Sequence, residues 1–467
     1  MRTFQKVISC GLALLMTASI SACGSKPSQS ESQAPASEAP ASSSETQTEA
    51  TGSEQVLRIY CWNTEFQDRF NAYYKDKLPE GITVDWVITP NENNAYQNKL
   101  DADLKNQESS KDKIDIFLIE ADYALKYVDS DYCLDVVGDV GLTQEDLKDQ
   151  YPYTQDIATD LTGKLKAVTW QATPGLFAYR RSIAKDVLGT DEPAEVQKVL
   201  SDWDKFNDTA VKMDEKGYKM LSGYDDSYRV FSNNMSNPWV DANNQIIVDQ
   251  NLMNWVDQTK EYTDKGYNKK TSLWSAEWSA DQGPEGDVFG FFYSTWGINF
   301  TLLGNSLAVP QAEGGKLEVG NGIFGDYAVC EGPQNYYWGG SWICAATGSD
   351  NLDLVKDVMK TMTCDAQTMK QITLDTEDYT NNQTAMNELA NSDYQSEFLG
   401  GQNHIALFAK AAPNIDMSNI SKYDQGLNEE FQKAFKDYFD GNASKEDALD
   451  NFYTAAIEKY PNLKKPA

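Results

Sequence analysis

Apolar runs alternate with segments of helical spacing at the start of the folded part of the chain. Residues 56–62 and 82–87 have the composition of strands, and residues 114–119 are almost continuously apolar, as in a strand buried on both faces. Between them, residues 66–74 and 95–107 carry apolar side chains at the spacing of amphipathic helices. Strand, helix, strand, helix, strand at this spacing predicts a parallel sheet covered by helices.

Polar and aromatic residues follow the ends of two of these strands. Trp62 ends the first strand and Asn63 follows it directly, and Glu120 and Asp122 come after the third. Ligands of open α/β sheets bind beyond the carboxyl ends of the strands, so these four residues are candidates for a binding site. The structural alternatives are a core position for Trp62 and exposed helix caps for Glu120 and Asp122.

The pattern next predicts two crossings of the chain between separate lobes. Residues 173–175 interrupt a long strand-like stretch that contains Trp170 and Gln171. Residues 338–346 form a second, Gly-rich crossing strand that contains Trp342. Gln171 is a polar neighbour suited to ligand hydroxyls. For Trp170 and Trp342, core packing and stacking on a ligand remain open alternatives.

Two further candidates lie between these crossings. The strand-like run at residues 288–293 leads into Trp296, which either continues a buried aromatic run or offers a face for stacking. Asp225 either binds ligand hydroxyls or belongs to an ordinary turn after Gly223 and Tyr224. The C-terminal third of the chain has a mostly helical pattern.

The N-terminal segment has a different character. Residues 1–22 combine a basic start, an apolar stretch too short for an ordinary span and a small-residue triplet before Cys23, the pattern of a lipoprotein signal peptide. Residues 23–55 are rich in Ser, Ala, Glu and Pro and lack aromatic residues, which predicts a disordered tether. We therefore expect lipid on Cys23 and anchoring at the extracellular face of a bacterial cell membrane; an ordinary secretory signal is the alternative.

Charge and composition exclude several classes of function. A formal net charge of −31 repels phosphate backbones, so we expect no nucleic-acid partner. The single histidine, His404, and the irregular spacing of the cysteines argue against a metal site, and we expect no cofactor. Cys330 and Cys344 are close enough in sequence to pair, although buried free thiols are the expected state.

The order of these features resembles that of the extracellular substrate-binding proteins of ABC transporters, in the carbohydrate-binding group that includes maltose-binding proteins. Residues 163–181 look like the family's entry into its second lobe. Residues 287–296 are similar to the strand that presents an aromatic side chain to the sugar, and residues 339–342 are similar to the return hinge.

The resemblance implies an α/β fold with two lobes, each a mostly parallel sheet flanked by helices, joined by a multi-segment hinge. Lobe 1 would comprise residues 56–171 and 342–388, and lobe 2 would comprise residues 175–338 and 389–460. It also implies a function: a lipid-anchored, monomeric receptor without catalytic residues, which captures a sugar or oligosaccharide by hinge closure. The receptor would deliver this ligand to the permease subunits of an ABC importer.

Sugar recognition requires an aromatic platform below the apolar face of the ring and polar groups around its hydroxyl rim. The expected sugar-binding residues are Trp62, Asn63, Glu120, Asp122, Trp170, Gln171, Asp225, Trp296 and Trp342. Two other classes of function remain. A surface glycoside hydrolase would use Glu120 and Asp122 as paired carboxylates, and a receptor for a peptide or polyamine would suit an acidic cleft.

Overall fold

Strands assemble into two separate sheets in the computed structural model, which describes residues 55–466. The strands are β1 (Gln55–Cys61), β2 (Ile82–Ile88), β3 (Ile116–Glu120), β4 (Ala167–Thr169), β5 (Gly175–Arg180), β6 (Gly290–Ser294), β7 (Tyr327–Cys330) and β8 (Ser341–Ala345). Hydrogen bonding orders the larger sheet β2-β1-β3-β8-β4 and the smaller sheet β6-β5-β7. The predicted signal peptide, the lipidation site Cys23 and the predicted tether up to residue 54 lie outside the described residues.

Helices flank both sheets and dominate the C-terminal third, as the pattern predicts. The α-helices are α1 (Glu65–Tyr73), α2 (Ala95–Lys105), α3 (Ala124–Val128), α4 (Gln144–Leu147), α5 (Pro152–Ile157), α6 (Arg181–Leu188), α7 (Pro193–Lys198), α8 (Trp203–Glu215), α9 (Tyr228–Ser232), α10 (Gln250–Lys265), α11 (Ala276–Asp281), α12 (Thr295–Gly297), α13 (Leu303–Ser306), α14 (Leu352–Thr363), α15 (Ala366–Thr376), α16 (Gln383–Ala390), α17 (His404–Ala411), α18 (Asp424–Phe439) and α19 (Lys445–Lys459). Short 3-10 turns occur at Lys75–Lys77, Glu92–Asn94, Ala121–Tyr123, Gln311–Glu313 and Ala412–Asn414, and a π-helical turn occurs at Ile298–Leu302. Within residues 55–466, no helix has both the length and the apolar character needed to cross a membrane.

The strand directions correct one part of the predicted architecture. β1 and β3 are parallel, with Ile59 opposite Ile116, as expected for the opening strands. β8, however, is antiparallel to both β3 and β4, and in the smaller sheet β5 is antiparallel to both β6 and β7. In the larger sheet β1, β3 and β4 therefore run in one direction and β8 opposes them, in agreement with the mostly parallel prediction, whereas the smaller sheet is antiparallel throughout and the prediction is wrong for it. The chain leaves the larger sheet through β4 and β5 and returns through β7 and β8, so its outgoing and returning strands run in opposite directions.

The buried side chains form two hydrophobic clusters. The larger cluster contains both sheets, including Ile116 of β3 and Phe177 of β5. The second lies among α9, α10, α18 and α19, around Trp255 and Phe431. Cys330 and Cys344 are both buried free thiols, which is the expected state and not the disulfide alternative.

Three segments of the chain pass side by side between the two sheets. The first crossing (residues 170–175) joins β4 to β5, the second (residues 336–341) joins β7 to β8, and the third (residues 376–382) joins α15 to α16. Backbone hydrogen bonds tie the first crossing to both of the others. These bonds run from Gly175 N to Tyr336 O (2.8 Å), from Trp338 N to Thr173 O (3.1 Å), from Asn381 N to Trp170 O (2.8 Å) and from Ala172 N to Tyr379 O (3.2 Å).

The side-chain amide of Gln171 joins all three crossings. Its Oε1 accepts a hydrogen bond from Ser341 N in the second crossing (3.1 Å). Its Nε2 donates to Asp378 Oδ2 in the third crossing (3.0 Å) and to Glu65 Oε1 at the start of α1 (3.0 Å). Only 2% of Gln171 is exposed, so its hydrogen-bonding groups are committed to protein partners rather than open to a ligand.

The substitution Gln171→Met tests whether this amide holds the crossings together. Methionine has a similar length but cannot form the three hydrogen bonds, which leaves buried polar groups without partners. We expect the free energy of unfolding, measured by urea denaturation, to fall by about 1–3 kcal/mol. Gln395→Met, at an exposed position, is the matched control and should change it by less than about 0.5 kcal/mol. Equal stability of the two variants would contradict the role assigned to Gln171.

Candidate binding cleft

A small cavity lies where the loop after β3 faces α9 and the segment before α18. Ala121, Asp122 and Leu125 line one side, and Arg229 and Asp424 belong to the other. Its volume is about 40 Å³, whereas pockets that hold small-molecule ligands measure about 300–1,000 Å³. The cleft is therefore closed in this conformation and is filled mainly by its own side chains.

An ion pair closes the cleft. Asp122 lies in the turn after β3, and Arg229 lies on α9. The two Nη atoms of Arg229 donate to the two carboxylate oxygens of Asp122, which is the bidentate geometry of the strongest charge-assisted pairs. Burial by itself lowers the pKa of Arg229, but attraction to Asp122 outweighs burial and raises it. About a quarter of each side chain is exposed, so solvent reaches the pair.

Two further carboxyl groups flank this pair. Glu120 accepts a hydrogen bond from Asp122 N (2.8 Å), and burial together with the charge of Asp122 raises the pKa of Glu120 to about 8. Asp424 accepts hydrogen bonds from the backbone and hydroxyl of Ser421, and burial raises the pKa of Asp424 to about 7. Near neutral pH these groups carry protons for part of the time, so they can donate as well as accept hydrogen bonds.

Trp62 and Asn63 lie close to the same edge of the larger sheet. Trp62 is partly buried and meets Tyr96 and Tyr123 edge-on, with ring centroids 5.6 and 6.4 Å away. Tyr123 directly follows Asp122, and its hydroxyl is buried without a hydrogen-bond partner. Asn63 is exposed, and its side-chain oxygen accepts a bond from Glu65 N (3.1 Å). These contacts place Trp62 against Tyr123, the neighbour of the cleft residue Asp122.

Trp296 lies immediately after β6 and against the second crossing. Its indole Nε1 donates to Trp338 O (2.9 Å), and the two rings meet edge-on with centroids 5.5 Å apart. The side chain is only partly buried. Trp296 is therefore fixed beside the crossings and still has accessible ring surface, as stacking on a ligand requires.

The other predicted positions have contacts that favour structural roles. Trp170 is fully buried and stacks on Phe66 (5.3 Å between centroids), and Trp342 is 1% exposed and donates to Thr154 O (2.9 Å). For these two tryptophans, core packing is the alternative that the contacts favour. Asp225 accepts a bond from the backbone N–H of Leu273 (3.3 Å), and burial raises the pKa of Asp225.

Arg229 and Asp424 were not among the residues that the sequence singled out. Each lies about 100 residues or more from Asp122 along the chain, and neither belongs to a recognisable motif. The available signal was an arginine within the otherwise mostly apolar helical stretch of α9, since unpaired arginine is seldom buried. In the part of the chain that the structure describes, no three His, Cys, Asp or Glu side chains are grouped to hold a metal ion.

A family model for bacterial extracellular solute-binding proteins matches residues 68–398, more than half of the chain. The chain belongs to this family. A search of curated protein sequences gave no match. The solute-binding protein thus has a cleft between the loop after β3 and α9, and three crossings that join its two sides.

Solved structures with the same fold support the two-lobed α/β prediction. An extracellular solute-binding protein of family 1 has a TM-score of 0.71 at 18% identity, covering 86% of this chain and 99% of that one. A binding protein associated with an ABC transporter of B. animalis subsp. lactis, in complex with β-1,6-galactobiose, has a TM-score of 0.65 at 15% identity, covering 89% and 100%. The galacto-N-biose/lacto-N-biose I-binding protein of Bifidobacterium longum has a TM-score of 0.66 at 13% identity, covering 88% and 98%.

Asp122→Asn tests whether the ion pair holds the cleft closed. The variant removes the charge that faces Arg229, so we expect a larger fraction of open molecules and an increased radius of gyration in small-angle X-ray scattering. A double-mutant cycle of Asp122→Asn and Arg229→Gln, measured on the free energy of unfolding, should give a coupling energy of about 1.5–3 kcal/mol. Asp85→Asn removes an ion pair with Arg58 on the neighbouring strand of one sheet and serves as the control. Scattering curves that agree for wild type and Asp122→Asn would contradict the role of the pair.

Glu120→Gln tests the raised pKa of this carboxyl group. Its folded-state value of about 8 lies above the ordinary value of 4.5, so its stabilising contribution is complete below about pH 4.5. That contribution is lost as the pH rises through about 8. Between pH 5 and 8.5 the unfolding free energy of wild type should fall by at least about 1.4 kcal/mol more than that of the variant, the equivalent of one pKa unit. The measurement is urea denaturation across pH, with exposed Glu145→Gln as control. If the unfolding free energy changed with pH equally in wild type and Glu120→Gln, the raised pKa of Glu120 would be excluded.

Proposed function

We propose that this solute-binding protein is a lipid-anchored receptor that captures a sugar or oligosaccharide by hinge closure and delivers it to the permease of an ABC importer. The observation that carries the proposal is the composition of the cleft. Hydrogen-bonding groups line it from both sides, and two partly buried tryptophans lie near it: Trp62, against Tyr123 in the loop after β3, and Trp296, against the second crossing. Such a site matches a pyranose ring, which has an apolar face and a rim of hydroxyls.

Closure would occur between lobe 1 (residues 56–171 and 342–388) and lobe 2 (residues 175–338 and 389–460). The first two crossings coincide with these expected boundaries, and the third precedes the boundary at residue 388. Three adjacent segments bonded to one another allow bending about a common axis, which is the geometry of a hinge. The receptor would act as a monomer and without catalytic residues.

Ligand entry requires the Asp122–Arg229 pair to separate, since the closed cleft has room only for water-sized molecules. Sugar hydroxyls would then accept from the guanidinium and donate to the carboxylates. Each hydrogen bond contributes about 0.5–1.5 kcal/mol. Several such bonds together with ring stacking would give a binding free energy of about −8 kcal/mol, which corresponds to a micromolar dissociation constant. Because the ligand would make more contacts in the closed conformation than in the open one, its binding would shift the equilibrium towards the closed conformation.

Two solved structures support the choice of a sugar and of an ABC importer. The binding protein from B. animalis subsp. lactis contains β-1,6-galactobiose, and the one from Bifidobacterium longum contains lacto-N-biose; both belong to ABC transporters. Their identity to this chain is 15% and 13%, so they support the class of ligand and not its structure. The anchor is proposed from Cys23 and the signal pattern before it.

A surface glycoside hydrolase is the second candidate, and the raised pKa of Glu120 favours it. A carboxyl group with a raised pKa is able to serve as the general acid of such a hydrolase. Its expected partner, Asp122, has both oxygens bound by Arg229 in the closed cleft. Release of reducing sugar during long incubation with oligosaccharides, lost in Glu120→Gln, would establish hydrolysis in place of simple binding.

Calorimetry with Trp296→Ala tests sugar recognition. We expect wild type to bind at least one sugar of a panel of glucose, maltose, galactose, β-1,6-galactobiose and lacto-N-biose, with spermidine included to test the polyamine alternative. Loss of the indole platform should weaken sugar affinity at least about tenfold, equivalent to about 1.4 kcal/mol, while the protein remains folded at the temperature of the measurement. Phe300→Ala, at a 74% exposed ring four residues later, is the matched control. Binding of spermidine and of no sugar would reject the proposal, and unchanged affinity would return Trp296 to a packing role.

A further inference from the structure

Thr173, in the middle of the first crossing, has a left-handed backbone conformation. Its φ is +41°, in a region where the side chain of a β-branched residue is crowded against the backbone. Proline follows at position 174 and favours an extended conformation for the residue before it. Thr173 therefore has a conformational cost that glycine would not have at the same position.

All three crossings contain a residue with positive φ. The second crossing has Gly339 (+72°) and Gly340 (+108°), which adopt such values without strain, and the third has Glu377 (+57°) directly after α15. In the part of the chain that the structure describes, seven non-glycine residues have positive φ, and only the third of them is β-branched: Asn93, Asn94, Thr173, Asn244, Lys270, Trp274 and Glu377. Left-handed backbone thus occurs where the chain passes between the two sheets, and among the crossings it is least compatible with Thr173.

Contacts with the second crossing hold Thr173 in this conformation. Its Oγ1 donates to Gly339 O (2.9 Å), and its own carbonyl oxygen accepts from Trp338 N (3.1 Å). A Cβ at Gly340 would lie 3.3 Å from both Cγ2 and Oγ1 of Thr173, so the side chain packs closely against this glycine. Thr173 is only 1% exposed. Because the two crossings are bonded and packed at this point, Thr173 can relax only when they change their arrangement relative to one another.

The crossings join the two sides of the closed cleft. The Asp122–Arg229 pair stabilises the closed conformation, since it bonds the loop after β3 to α9. Opening and closing of such a cleft change the backbone angles of a few residues in the connecting segments. Strain that is present at one of these residues in the closed conformation acts against the ion pair.

We infer that Thr173 is a strained hinge residue, whose left-handed backbone belongs to the closed conformation and is released on opening. Its cost favours the open conformation, whereas the Asp122–Arg229 pair favours the closed one, so the protein can open without a ligand. A ligand that contacts both sides then shifts the equilibrium towards closure. The inference goes beyond the proposed function, because it concerns the protein without ligand and does not depend on the chemistry of the ligand.

A comparison of Thr173→Gly with Thr173→Ala isolates the backbone cost. Both variants lose the methyl group, the hydroxyl and its bond to Gly339 O, but only glycine also lacks the Cβ that is crowded at positive φ. Should glycine unfold the protein, Thr173→Asn replaces it, because asparagine adopts the left-handed conformation more readily than threonine. Lys270→Gly and Lys270→Ala are the control pair, at an exposed residue with φ +62° outside the crossings.

The measurement is small-angle X-ray scattering without ligand, with each curve fitted as a mixture of open and closed molecules. It is made in the wild-type background and in Asp122→Asn, where the open fraction is expected to be larger. In at least one background, the closed-to-open ratio should be at least about fivefold higher with glycine than with alanine at position 173, and equal within about twofold for the Lys270 pair. A ratio that is equal in both backgrounds for glycine and alanine at position 173, or lower for glycine, would overturn the inference. Sugar calorimetry tests the proposed function separately.

Discussion

The amide of Gln171 is the contact on which the arrangement of the two sheets depends. It bonds the three crossings to one another and to the first helix, in a site that is almost wholly buried. Because the three crossings are hydrogen-bonded to one another through Gln171, they can bend together, but no crossing can shift along its neighbours without breaking these bonds. The loop with Asp122 and the ring of Trp296 both lie against these crossings, so the same contact fixes where the two sides of the cleft can meet.

The electrostatics of the cleft differ from those of the whole chain. The net charge is −31, yet burial raises the pKa of Glu120 to about 8 and that of Asp424 to about 7, and Asp122 is matched by Arg229. Near neutral pH the raised pKa values of Glu120 and Asp424 reduce the negative charge beside the matched pair, and Asp416 is a further carboxylate in the lining. A neutral, hydroxyl-rich ligand fits such a site better than a strongly charged one, because it requires no unmatched charge to be buried.

Sequence patterns predicted the elements that depend on local order. The apolar run of β3 and the polar residues at its end were found because strand burial and strand ends leave short-range signals. The pairing of Arg229 with Asp122 could not be found, since the two residues are distant in sequence and only the fold brings them together. Gln171 has the polarity of a ligand-binding residue, and only its buried contacts reveal a structural role. The left-handed backbone of Trp274 likewise has no sequence signal, because glycine is the residue expected there.

Hinge closure around a ligand is the central claim, and pulsed electron paramagnetic resonance tests it most directly. Spin labels at Lys105 on α2 and Lys212 on α8 would report the distance between the two sides, both positions being exposed, with partly exposed Cys364 replaced by serine. Hinge closure predicts a broad or bimodal distance distribution without sugar and one short distance at saturating sugar. The same distribution with and without bound sugar would contradict it.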